Sequence, residues 1–189
     1  RLRCFWWLWE RWFWRRWRVR EMVMSKLSRI VSHMTTTRGR VHRAFPPKSM
    51  QAIEQAIKAA EVGHAGEIRF VVEGALDGLP LLKGQSARER AIEVFSLLGI
   101  WDTEHNSGVL IYLLLADRRV EIVADRGIHA RVGPGGWEAL CRDMEAAFRS
   151  DRYEQGAITC IGAVAQHLSR HFPSHGHAHN ELPDTPVVL

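Results

Sequence analysis

Four carboxylates, three imidazoles, an amide and a guanidinium stand at the ends of three predicted strands in this 189-residue chain. His64 and Glu67 precede or open the first strand, Asp102, Glu104, His105 and Asn106 lie in the loop before the second, and Asp125, Arg126 and His129 follow the third. Hard cations such as calcium and magnesium take carboxylate, amide and carbonyl oxygens, and magnesium keeps waters that a phosphate can displace. Asp102, Glu104, Asn106, Asp125 and Glu67 are therefore candidate metal ligands. A phosphate ester bound beside them would be neutralised by the metal and Arg126, with His105 or His129 moving the proton near neutral pH. The alternative is a hydrated loop edge, in which Asp102 caps a turn and Arg126 pairs with a neighbouring carboxylate.

These groups meet only if the intervening elements bring them together. Pro46-Pro47 ahead of Met50, Ile53, Ile57 and Ala60 predicts a helix over 47–62. Glu67–Glu73 alternates as a strand, and residues 74–82 read as a loop. Ser86 and Glu89 form a capping box for a helix over 86–98. Gly108–Leu115 is apolar after its glycine, as suits a central strand buried on both faces, and residues 119–124 complete a hairpin with it. Helices over 133–149 and 151–171 follow, the second opening on a capping-box-like Asp151 and Glu154. The order predicts an α/β fold: a small mixed β-sheet, a βαβ unit plus a β-hairpin, flanked by helices on both faces. In a right-handed βαβ unit the first two strands run parallel and start at one edge, where the antiparallel third strand ends. That edge collects the three groups of residues.

The net charge of +5 is unevenly spread. Residues 1–43 carry 12 Lys and Arg against Glu10 and Glu21, whereas residues 44–189 carry 14 against 19 acidic residues. A body of net −5 repels phosphate backbones on average, so specific nucleic-acid binding is not expected. Arg1–Arg20 holds six of the eight tryptophans, with Trp6, Trp9, Trp12 and Trp17 on one helical side and Arg11, Arg15 and Arg18 opposite. That is the pattern of a helix lying at a membrane interface, so peripheral membrane contact through residues 1–20 is one expectation. The other is a mis-assigned start with no selected function. The domain reading is a basic arm and flexible linker over 1–45, a folded domain over 46–173, and a His- and Pro-rich tail over 174–189. His171, His175, His177 and His179 are read as belonging to a disordered terminus.

The longest apolar run, Val109–Ala116, is too short to span a bilayer. Cys4, Cys141 and Cys160 are too scattered for a disulfide scaffold and read as inert thiols in a reducing compartment. The expected location is the cytoplasm, at or near the inner face of a membrane. There is no phosphate-binding Gly-x-x-x-x-Gly-Lys loop, no Gly-x-Ser-x-Gly elbow and no His-Glu-x-x-His helix. Trp101 and Trp137 are read as core or rim packing.

His64-Ala-Gly-Glu-Ile-Arg-Phe70, Trp101-Asp-Thr-Glu-His-Asn-Ser-Gly-Val-Leu-Ile-Tyr112, Asp117-Arg118 and Asp125-Arg-Gly-Ile-His129 together resemble the TPM domain family over about residues 53–172. That family includes a thylakoid-lumen acid phosphatase, a photosystem II repair protein and a nematode acetylcholine-receptor modulator. The likeness is greatest to a short bacterial branch that lacks the signal peptide and membrane helix of longer members. It implies a central sheet flanked by helices and divalent-metal binding at loops on one sheet edge, with phosphatase activity in some members. Gly108 and Gly127 match the family pattern, as does Asp117-Arg118. Where the family commonly has Asp-Asn-Gly, this chain has Asn106-Ser107-Gly108; where it has Gly-Tyr-Gly-Leu-Glu, this chain has Asp125-Arg126-Gly127-Ile128-His129. Asp102, Glu104 and Asp125 are then the carboxylates available to replace the missing charge. Two functions follow: a metal-dependent phosphomonoesterase of low activity acting on a phosphorylated substrate, or a non-enzymatic module whose loop edge engages a protein partner.

Overall fold

The computed structural model describes residues 26–174 and 180–189. The arm over 1–25 and the histidines at 175, 177 and 179 lie outside the described residues, and with them the expectation of a membrane-facing helix. Helical residues 26–35 (α1) lead to α2 (Arg38–Ala44) and α3 (Pro47–Glu61). Then come β1 (Glu67–Glu73), α4 (Gly78–Leu82), α5 (Ala87–Leu97), β2 (Gly108–Leu114) and β3 (Arg119–Ala124). The chain ends with α6 (Arg126–Val132), α7 (Pro134–Arg149), α8 (Tyr153–His171) and β4 (Val187–Val188).

The sheet has the order β3-β2-β1-β4. β1 and β2 are parallel, with Glu67 opposite Gly108, and β3 is antiparallel to β2, with Ala124 opposite Val109. Both faces of the sheet are covered, which is why β2 is apolar without alternation. On one face Ile68, Phe70, Val72, Val109, Ile111 and Leu113 pack with residues of α3, α7 and α8. On the other, Val71, Leu110, Tyr112 and Leu114 meet Ala91, Val94 and Phe95 of α5. The α/β sheet with helices on both faces is the architecture the residue pattern implies. The Ser86 capping box forms in full, with Ser86 Oγ accepting from Glu89 N and the Glu89 carboxylate accepting from Ser86 N.

Five local readings change. Residues 26–45, expected as flexible linker, fold as α1 and α2 against the body. Phe45 is buried edge-on to Phe70, Phe148 and Tyr153, and Asp117 binds Arg29 and His33. These partners are distant in sequence, so local polarity misled. The described end of the tail is also folded, since β4 adds to β1. α4 occupies part of the predicted loop, and α6 was not anticipated. Finally, α8 starts at Tyr153 without the Asp151 box, because Glu154 instead accepts from Ser49 Oγ at 2.6 Å. Among the described residues no helix is long and apolar enough to cross a membrane.

Candidate functional site

Asp125 is the pivot of the loop edge. It sits at the end of β3 in extended backbone, where its N–H donates to Gly108 O and its Oδ1 accepts from Arg126 N at 2.6 Å, capping α6. The side chain is almost wholly buried, and Oδ2 has no hydrogen-bond partner. Asn106, in the left-handed region at φ 51°, approaches from the loop before β2. Its carbonyl accepts from Ile128 N, and its Oδ1 accepts from Arg126 Nη2 at 3.4 Å. Thr103 Oγ1 accepts from Ser107 N, and Ser107 Oγ donates to Ala65 O, so the loop is fastened at both ends. Gly127 permits the approach of α6: a Cβ there would lie 2.6 Å from Asn106 O and 2.9 Å from His105 O. Gly108 is equally constrained, by Ile100 O.

The other sequence-identified groups occupy three different surroundings. Asp102, Glu104 and His105 share the Asn106 loop and are exposed, with Glu104 N donating to Glu181. Glu67 is buried and faces the chain's end, its two oxygens accepting from Glu181 N at 3.0 Å and Leu182 N at 3.3 Å. Burial raises its pKa against those two hydrogen bonds. Glu61, Arg69 and Asp184 adjoin it. Burial pushes Glu61 up to about 9, with Glu67 and Asp184 adding to the effect, and Arg69 is buried with Nη1 unpartnered. His64 is buried, its Nδ1 is held by Gly66, and desolvation keeps its pKa below the usual histidine range. His129 is exposed at a groove of about 450 Å³ that it shares with Trp137, Glu121 and Cys141. Burial pushes the Cys141 thiol up to about 11, which leaves it unreactive at neutral pH.

The structure thus brings Asn106, Asp125 and Arg126 together, places Asp102, Glu104 and His105 on the adjoining rim, and sends Glu67 and His129 elsewhere. Among the described residues no three His, Cys, Asp or Glu side chains gather as a metal centre. The sequence profile of the TPM domain matches residues 42–167. The chain belongs to the TPM domain family. The NMR structure of the BA42 protein from the psychrophilic bacterium Bizionia argentinensis is similar to it, at 28% identity and a TM-score of 0.66 over 75% of this chain and 93% of that one. The N-terminal domain of a protein from P. gingivalis, also solved by NMR, shares the fold at 22% identity and a TM-score of 0.56. That match covers 70% of this chain and 82% of the other. No curated protein matches the sequence.

Around Glu67 of this TPM domain, sequence reasoning missed the partners that a later segment brings in. Glu181 and Leu182, which donate to Glu67, and Asp184, whose charge acts on it, arrive from a segment more than 100 residues away, and no local pattern announces such a contact. Gly127 did carry a signal, since it matches the family pattern and glycine is the residue that permits a close backbone approach.

Proposed function

We propose that this TPM domain binds a divalent cation at the Asn106–Asp125 edge and there holds a phosphomonoester, which it hydrolyses slowly. The observation that carries the reading is Asp125 Oδ2, a buried carboxylate oxygen without a hydrogen-bond partner beside a loop rich in oxygen donors. Such an oxygen is costly unless a ligand compensates it. The donor set fits magnesium better than calcium. Calcium takes six to eight oxygens from a protein cage, whereas magnesium is held by one or two carboxylates and keeps waters for a phosphate to displace. Asp125 and Asn106 would hold the cation, with Asp102 or Glu104 reaching it from the rim. Glu67 contributes less, because both its oxygens are engaged by backbone N–H groups.

A bound cation supplies positive charge to phosphoryl oxygens. Arg126, exposed and tethered to Asn106, orients the substrate by binding a second phosphate oxygen. His105, on the same loop, delivers a proton to the leaving oxygen. His129, facing the groove beside Trp137, suits this role less well. The buried or half-buried thiols of Cys160 and Cys141 fit a reducing cytoplasm as the place of action.

Calorimetric titration of magnesium and calcium into the full chain tests the reading, paired with p-nitrophenyl phosphate turnover. Asp125→Asn should weaken magnesium binding at least tenfold and remove metal-dependent turnover, while the thermal melt stays cooperative. A flat titration with no turnover would instead favour a protein-interaction module, a reading supported by Leu97 and Trp101, which are exposed near the same loop.

A further inference from the structure

The opposite end of the sheet holds a cleft of about 780 Å³, within the range of about 300–1,000 Å³ typical of small-molecule sites. Its rim carries Arg40 and Arg43 of α2, Arg118 of the β2–β3 turn, Arg149 at the end of α7 and Arg152 before α8. None of the five forms an ion pair with another described residue, whereas Arg29, Arg88, Arg90, Arg119 and Arg142 all do. Among the described residues the five side chains make a single, long hydrogen bond, from Arg40 to Thr36 Oγ1 at 3.4 Å. Three carboxylates share the lining, and two are engaged. Glu154 accepts from Ser49, and Glu145 accepts from Val120 N and lies 3.7 Å from Arg119, which leaves Asp151. Unopposed positive charge therefore dominates the rim. Apolar surface is contributed by Leu113 of β2, by Leu115 just after it and by the packed rings of Phe148 and Tyr153, 5.1 Å between centroids. Arg118 and Asp151, on the rim, have φ of 52° and 55°, conformations that non-glycine residues seldom hold away from functional or tightly determined turns.

We propose that this cleft is a second ligand site, for a soluble molecule carrying adjacent phosphates on a flat apolar body, the chemistry of a nucleoside di- or triphosphate. Guanidinium groups bind phosphate oxygens in pairs, and five of them converging from four segments match clustered charge better than a single phosphate. Tyr153, half-buried, offers an aromatic surface for the body of the ligand. The concave shape argues against an extended polyanion or a flat lipid surface.

The test is titration of ATP, ADP, adenosine and tripolyphosphate into the full chain without divalent cation, so that a failed metal site at the other edge does not affect it. ATP and ADP are expected to bind, with adenosine and tripolyphosphate each at least tenfold weaker. R149Q/R152Q and R40Q/R43Q, all at exposed positions, should each reduce ATP affinity at least tenfold, and Asp125→Asn should not change it. ATP binding undiminished in both double variants would place it on the basic arm and overturn the proposal. So would no binding, tripolyphosphate binding as tightly as ATP, or capture only by phosphatidylserine vesicles.

Discussion

Glu61 keeps its proton because folding half-buries its carboxyl beside Glu67 and Asp184, which pushes it up to about 9 from an ordinary 4.5. The folded state then binds a proton that the unfolded chain releases, so stability falls as pH rises between those two values. Glu61→Gln should flatten the stability–pH profile over that window, measured by urea unfolding at several pH values; an unchanged slope would mean that another group dominates. Tyr112 makes a different kind of contact. Its fully buried hydroxyl donates to Glu73 Oε2 at 2.6 Å, while Arg90 grips the same carboxylate. Tyr112→Phe should cost about 1.5–3 kcal/mol by the same unfolding measurement, the usual range for a hydrogen bond to a charged group. Residue chemistry of this kind was only partly legible beforehand. Asp125, Asn106 and Arg126 could be placed at one edge because strand order alone brings them there. Glu67's engagement could not, because it depends on backbone N–H groups of Glu181 and Leu182.

At the scale of elements, the strands and the α5 cap were legible because each is written locally, in apolar runs and in the Ser86–Glu89 spacing. Helix α6 was not, since its seven residues have too short a period to read and its position is fixed by contact with the Asn106 loop. Gly127 measures that contact. Helix propensity alone favours alanine over glycine by about 1 kcal/mol. A methyl 2.6 Å from the Asn106 carbonyl oxygen must instead push α6 and the loop apart, and such overpacking costs about 1–3 kcal/mol. Gly127→Ala is therefore expected to lower the thermal midpoint and to weaken magnesium binding, although it changes no ligand. A raised midpoint with unaltered binding would show that the loop and α6 are not rigidly coupled.

For the whole molecule, the question is how α1 is held, given that its sequence is polar enough to read as linker. Asp117, in the tight turn between β2 and β3, accepts from Arg29 Nε and Nη2 at 2.8–3.0 Å and pairs with His33 Nε2 at 2.9 Å. His33 is buried, and its Nδ1 accepts from Leu76 N, so the proton lies on Nε2 and points at Asp117. One carboxylate thus joins α1 to the hairpin, and the imidazole joins both to the segment after β1. Burial alone would raise the Asp117 pKa, but the hydrogen bonds from Arg29 and His33 outweigh it and hold the carboxyl below its ordinary 3.8. This contribution is fully present above that value and is lost as pH falls through the lowered pKa. Hydrogen exchange should show α1 opening before the sheet as the solution is acidified below about pH 4. Asp117→Asn should show the same early opening already at neutral pH, because the amide cannot supply the negative charge that Arg29 pairs with. The core strands would exchange at nearly their original rates in that variant, since the sheet's two apolar layers do not depend on α1 alone. Equal loss of protection in α1 and β2 would instead make the Asp117 junction part of the cooperative core.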